Sequence, residues 1–225
     1  MPELTFLGHS GFLIETSKAR LAIDPFLTGN PMAVLTPEQV NVDYILLTHG
    51  HTDHLGDTIA IAKRNNATVI AANELAKYCI SEGVDAHAMS IGGAYQFPFG
   101  RVKFTIAHHS LSTHDGGFTE HPAGILLTVD EKTIYHAGDT GLFYDMKLIG
   151  ELNSIDLAIL PIGDNYTMGI DDAVIAADFL QAKSYLPMHF DTFDIIQADP
   201  NEFVEKLAAI SLKGRICKIG GSFLV

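Results

Sequence analysis

With 225 residues, 47% of them hydrophobic and 18% charged, the chain lies in the ordinary globular range, long enough for one large core and too short to demand two. A formal charge of −13 speaks against duplex nucleic acid as the main partner, because backbone recognition needs clustered Lys and Arg. Cys79 and Cys217 lie far apart and lack paired ligand spacing, so they read as buried reduced thiols rather than a disulfide framework or zinc knuckle.

A single domain over residues 1–225 is expected. The opening MPELTFLGHSGFLIE has no basic segment followed by an apolar run and cleavage site, and no uncharged stretch approaches the ~20 residues of a membrane helix. The expectation is a cytoplasmic protein without membrane insertion, acting on a small molecule, with homo-oligomerisation left open. A small anionic substrate is compatible with the charge if divalent cations reverse its sign locally.

In chain order, β-branched and apolar runs predict strands at 4–7, 12–15, 21–24, 44–48, 68–71, 102–107, 124–129, 133–136, 157–160 and 184–187. Helical patterns fall at 55–64, 74–81, 144–152, 171–181 and 200–212, the last opened by Asp199 as cap and Pro200 in the first turn. Strands come first and helices interleave later, in both halves. That order suits a mixed α/β sandwich better than a purely parallel doubly wound sheet.

The stretch THGHTDHLGD, 48–57, concentrates three histidines and two aspartates behind a predicted strand. A polar loop capping a helix would need far fewer. Residues two apart on a helix point about 200° away from each other, whereas in extended chain they share a side. His49 and His51 can therefore reach one cation, and Asp53 and His54 a second point nearby. One ion needs three or four ligands, so the remainder must come from elsewhere. They are expected just past other strand ends, where a rigid sheet holds them at one edge. His109 after VKFTIAH, Asp139 after TIYHAG and His189 after SYLPM qualify. The expected arrangement is His49, His51 and His109 around one metal and Asp53, His54 and His189 around another, with Asp139 bridging. Nitrogen and oxygen donors suit two divalent ions, zinc foremost, with manganese, iron or nickel also accommodated.

This pattern resembles the metallo-β-lactamase superfamily. The stretches FLGHSGFLIE, IDPFLTGNP, HAGDTGLFYDMKLIGE, LAILPIGDNYTMG and MHFDTF resemble, across nearly the whole chain, its small metal-dependent hydrolases of bacteria and archaea. Nearer relatives of that group are the L-ascorbate phosphate lactonases, and more distant ones the N-acylphosphatidylethanolamine phospholipases D. The resemblance implies an α/β (α+β) fold, a four-layer αββα sandwich with both metals at one edge of the sheets. It implies a hydrolase using metal-bound hydroxide, with Asp53 as ligand and proton acceptor.

By the same resemblance, Asp24 braces the ligand loop through hydrogen bonds, and His9 faces the cleft to bind substrate or assist proton transfer. Neighbouring strand residues point to opposite faces. Only one of His108 and His109 is then a ligand; the motif favours His109, with His108 as the alternative. His136 reads as packed within its strand, His87 and His121 as surface, and His114 with Asp115 as loop. In 161–169, Asp164 and Asn165 line the cleft mouth or form the turn. An ester or lactone substrate ranks above a phosphodiester, because the lactonases share the LGHSG and DPF signatures. A metal-binding sensor or scaffold without turnover is the alternative of another class.

Overall fold

The chain enters as an antiparallel meander of β1 (Glu3–Gly8), β2 (Gly11–Glu15) and β3 (Arg20–Ile23), and then changes to parallel pairing through β4 (Tyr44–Leu46), β5 (Thr68–Ala72) and β6 (Ala86–Met89). This computed structural model describes residues 1–110 and 121–225. The parallel strands are joined by α1 (Thr52–Leu55), α2 (Thr58–Asn65) and α3 (Asn73–Ser81). A second sheet repeats the pattern, with β7 (Ala94–Phe97), β8 (Gly100–Ile106), β9 (Ala123–Val129) and β10 (Lys132–His136) antiparallel, and β11 (Leu157–Pro161) and β12 (Tyr185–Met188) parallel to β10. Helix α4 (Met146–Leu152) connects β10 to β11, α5 (Ile170–Leu180) connects β11 to β12, α6 (Pro200–Ala209) comes after β12, and β13 (Ser222–Leu224) returns to the edge of β1.

Alternation along the central strands sorts side chains into two cores. Leu21, Ile23, Leu46 and Ile70 face the second sheet and meet Phe104, Ile125 and Ile134; Ala22, Ile45, Leu47, Val69 and Ala71 face the other way, toward Ile61, Leu75 and Cys79. Strand residues buried on both faces need this two-sided cover. Helices α2 and α3 supply it on one side and α5 on the other, giving the expected αββα layering. Helix α5 seals its side with Ala173, Ala176, Ala177 and Leu180 at positions i, i+3, i+4 and i+7. Each fully buried Leu, Ile or Phe contributes about 1.5–3 kcal/mol. Cys79 is buried as expected, whereas Cys217 is only half-buried, close to β13.

The helix predicted at 55–64 is α2, which starts only at Thr58, and a separate helical turn, α1, precedes it and ends at Leu55. Gly56 ends α1 at φ +44°, and a Cβ there would lie 2.5 Å from Pro25 O, so only glycine lets the 24–26 loop pack this close. Asp57 then accepts from the backbone N–H groups of Leu27 (2.9 Å) and Thr28 (2.8 Å), tying that loop to α2. Asp199 does cap α6, accepting from Asn201 N–H at 2.8 Å. Among the described residues, no helix is long and apolar enough to cross a membrane.

The carboxyl ends of β3, β4 and β5 and those of β8, β10 and β12 lie at one edge of the two sheets, where α/β folds place ligands. Asp24 and His189 follow directly on these strand ends, and His49, His109 and Asp139 lie three residues beyond theirs.

Candidate metal centre

The chain beyond β4 remains extended through His51 (φ −65°, ψ 152°) and then turns into the single helical turn of α1. Extended spacing holds for His49 and His51, which share a side. It fails for Asp53 and His54, which lie on α1 about 100° apart. The helix turns His54 inward to complete burial and leaves the Asp53 side chain 25% exposed at the mouth.

Two groups of donor atoms result. In the first, His49 Nε2 lies 3.0 Å from His51 Nδ1, and His51 Nδ1 lies 3.3 Å from His109 Nε2. Asp139 Oδ2 stands 3.9 Å from His49 Nε2 and 3.6 Å from His109 Nε2. In the second, Asp139 Oδ1 lies 3.2 Å from His54 Nε2, Asp139 Oδ2 3.0 Å from His189 Nε2, and Asp53 Oδ2 3.9 Å from His189 Nε2. A tetrahedral ion with bonds of about 2.0–2.1 Å holds its donors roughly 3.4 Å apart, which is the spacing of both groups. His54 Nε2 and Asp139 Oδ1 are buried facing one another at 3.2 Å, and neither makes a well-formed hydrogen bond. Burial without such a bond costs about 1–3 kcal/mol per polar atom, and a cation between them would satisfy both. The residues fit a divalent metal.

Supporting hydrogen bonds decide which atoms face the centre. Asp24, fully buried, accepts from Thr48 N–H (2.9 Å), the Thr48 hydroxyl (2.5 Å) and His54 Nδ1–H (2.7 Å). With its proton committed to Asp24, the Thr48 hydroxyl accepts from His49 Nδ1 at 3.0 Å. Both imidazoles are thereby left with Nε2 toward the donors, the arrangement by which outer partners fix metal-binding histidines. His9 sits in the two-residue β1–β2 turn, its Nδ1 on Thr192 Oγ1 (2.8 Å) and its Nε2 on Asp53 Oδ2 (3.0 Å). His9, Asp24 and His189 have φ of +53°, +43° and +54°, a left-handed conformation uncommon outside glycine that gathers at functional sites.

Burial pushes His49 well below the usual imidazole range, with the His54 charge adding to it, and lowers His109 likewise. It also lowers His9 to about 4, despite the hydrogen bond with Asp53. Burial alone would lower His54 too, but Asp139 and Asp24 outweigh it and raise His54 well above that range. For Asp139, burial favours the neutral acid, yet His189 and His54 outweigh it and hold the carboxyl well below normal. His9, His49 and His109 are thereby kept neutral beside the ionised Asp53 and Asp139, while His54 carries a positive charge between Asp24 and Asp139 that a metal ion on its Nε2 would replace.

Glycine is required beside Asp139. Gly138 has φ +64°, and a Cβ would lie 2.6 Å from Ala123 O. Gly138→Ala is expected to destabilise the protein by about 2–5 kcal/mol, read as a lower urea midpoint, because left-handed strain and overpacking add.

His108 turns away from the donors and stacks on Phe143, ring centroids 4.9 Å apart, while His109 joins them. His136 is packed as expected, with Nε2 on Ser10 O at 3.0 Å. His87 lies against Tyr95, 4.4 Å between centroids, and His121 is exposed. Asp164 and Asn165 form the turn, at φ +59° and +48°, bounded by a Gly163–Gly169 bridge. Tyr166 from that turn, with Ser110, lines the cleft beside His51, Asp53 and His189. Neither was legible in sequence, nor was Thr192; an exposed tyrosine or a lone threonine carries no spacing signal. His114 and Asp115 lie outside the described residues.

A family model described as a β-lactamase superfamily domain matches residues 12–190. The chain belongs to this superfamily. Within it, the chain is 55% identical over 225 residues to a UPF0173 metal-dependent hydrolase of Bacillus cereus, covering 98% of each protein. A counterpart in Bacillus thuringiensis subsp. konkukian is 54% identical, again over 98% of each. Among solved structures, Igni18, a metallo hydrolase of the archaeon Ignicoccus hospitalis, matches with a TM-score of 0.91 at 36% identity, over 100% of this chain and 99% of that one. An isothiocyanate hydrolase from Delia radicum gut bacteria shares the fold, with a TM-score of 0.79 at 20% identity over 99% and 98% of the two chains. This superfamily member is a metal-dependent hydrolase, and the resemblance read from the sequence is borne out at that level.

Proposed function

We propose that this hydrolase works with two divalent cations, zinc foremost and manganese, iron or nickel accommodated, and opens carboxylic esters or lactones. The observation that carries the reading is that the two donor groups meet at one carboxylate, Asp139, whose Oδ1 faces His54 and whose Oδ2 faces His49, His109 and His189. His49, His51 and His109 would hold one ion and Asp53, His54 and His189 the other. When bound, such a pair supplies Lewis acidity to an electrophilic carbonyl or phosphoryl oxygen and lowers the pKa of water from 15.7 toward about 7.

The chain's own groups do the rest. Asp53 is the partly exposed carboxylate facing the cleft, and it accepts a proton from the attacking water and passes it to the leaving oxygen. His9, fixed by Thr192, keeps the Asp53 carboxylate in orientation. Tyr166 and Ser110 border a cleft of about 270 Å³ that has neither Lys nor Arg among its described lining residues. Without a basic clamp for phosphate oxygens, an ester or lactone fits this cleft better than a phosphodiester. A cytoplasmic setting, a single domain over residues 1–225 and a small-molecule substrate belong to the same proposal.

Elemental analysis of metal-reconstituted protein is expected to give two ions per chain, falling to near zero in the His49→Ala/His189→Ala double variant; unchanged stoichiometry would overturn the ligand assignment. Assayed on ester, lactone and phosphodiester panels, the loaded protein is expected to turn over esters or lactones. Turnover of phosphodiesters alone would replace the substrate class. Inactivity on all three, with a partner's binding changed by metal loading, would replace the enzyme reading with a sensor.

A further inference from the structure

Beside the candidate metal centre lies a second cavity, of about 540 Å³, walled by Ala72, Met89, Ile91, Ile106, Ala107 and Pro122. Its size is that of a small-molecule site. Its walls continue the strands that carry the metal-centre residues. Ala107 follows β8 and stands two residues before His109. Ala72 ends β5, the parallel neighbour of β4, whose extension leads to His49. Pro122 precedes Ala123, whose N–H donates to Thr48 O at 2.9 Å, one residue before His49. At about 3.3 Å per extended residue and ~4.8 Å between strands, the apolar wall begins within about 10 Å of the His49, His51 and His109 group.

The chemistry of the wall excludes most ligand classes. Neither Lys nor Arg is among the described lining residues, and the basic side chain there, His121, is exposed and faces Glu74, so the cavity has no dedicated clamp for a phosphate or a carboxylate. The carboxylate present, Glu74, repels anions, and Asn73 Nδ2 is engaged in donating to Glu74 Oε1 at 2.8 Å. Apolar side chains dominate, and Ile106 is left 44% exposed toward the space. We propose that this cavity is the subsite for an uncharged apolar group of the substrate, an alkyl chain attached to the ester or lactone whose carbonyl reacts at the metal centre. The inference rests on the hydrolase reading above and names the part of the substrate that the metal centre does not touch. Binding energy from such a remote group raises kcat/KM, and each buried methylene is expected to add about 2–4-fold.

The test pairs turnover with direct binding. With metal-loaded protein, kcat/KM is expected to rise at least about 30-fold from p-nitrophenyl acetate to the octanoate. Ser90→Phe, which fills the cavity from an exposed position, is expected to cut the octanoate-to-acetate ratio at least about tenfold. Ile106→Ser, which removes an exposed part of the wall, should lower the same ratio and serves if Ser90→Phe misfolds. Independently of turnover, 1-octanol is expected to shift the methyl NMR signals of Met89, Ile91 and Ile106 in the wild-type protein and not in Ser90→Phe. Ester turnover with a flat chain-length profile and no octanol shifts would overturn the subsite while leaving the hydrolase reading intact. Octanol shifts without turnover of any ester or lactone would overturn the substrate reading, and with it the subsite's assignment to a substrate.

Discussion

Asp53→Ala is expected to lower kcat on any ester or lactone the protein hydrolyses by about 10²–10⁴-fold, the range lost with a positioned acid–base group. At least one metal ion should remain, because the His49, His51, His109 and Asp139 atoms do not depend on Asp53. Burial alone would raise the Asp53 pKa, but the hydrogen bond from His9 and the charges of His54 and His9 outweigh it and hold the carboxyl below its usual range. It is therefore a carboxylate throughout the neutral range, ready to take a proton. Asp53→Asn separates shape from proton transfer: its amide oxygen can still accept from His9, but it cannot serve as a base. Kinetics and elemental analysis on both variants decide the matter. A kcat within tenfold of wild type in Asp53→Asn would remove the proton-transfer role and leave Asp53 a ligand only.

What the sequence makes legible follows from which forces act locally. The His and Asp residues of 48–57 stand out because so many ionisable groups behind an apolar strand have few explanations other than a cation. Strands β3, β4, β5, β9 and β11 are legible because they are buried on both faces and read as apolar runs. Strands β6, β7 and β13 are not. Ala86–Met89 and Ala94–Phe97 are edge strands, each with a single buried residue, and Ser222–Leu224 is three residues long and exists through its pairing with β1. Pairing, not propensity, makes these strands. The break at Gly56 is likewise tertiary, since it answers to the approach of Pro25.

The candidate site divides in the same way. Residue types that bind cations announce themselves, whereas the groups orienting them do so only through geometry. Thr48 reads as the end of a strand, yet its hydroxyl links Asp24 to His49. Thr192 lies 183 positions from the His9 it holds. The left-handed backbone at His9 and His189, joined by the His189 N–H to His9 O bond at 2.7 Å, brings two loops from different sheets together, and no spacing rule reaches that far.

Asp24→Ala has the largest expected effect on the fold itself. Its carboxylate, fully buried, receives Thr48 N–H, the Thr48 hydroxyl and His54 Nδ1–H, and truncation leaves three buried donors without an acceptor. Breaking a buried, hydrogen-bonded charge pair costs about 3–5 kcal/mol. Asn offers no rescue: one amide oxygen replaces two acceptors, and its NH₂ would face donors. Metal binding should suffer separately, by about 10–100-fold in affinity, because Asp24 holds the His54 proton on Nδ1 and so keeps Nε2 toward Asp139. Urea unfolding of the metal-free protein isolates the first effect, and metal titration of the folded variant, under conditions where it remains folded, isolates the second. A metal-free midpoint equal to wild type would mean that Thr48 and His54 find other acceptors. Unchanged metal affinity would mean that the His54 ring keeps its orientation without Asp24, leaving the carboxylate no part in shaping the centre.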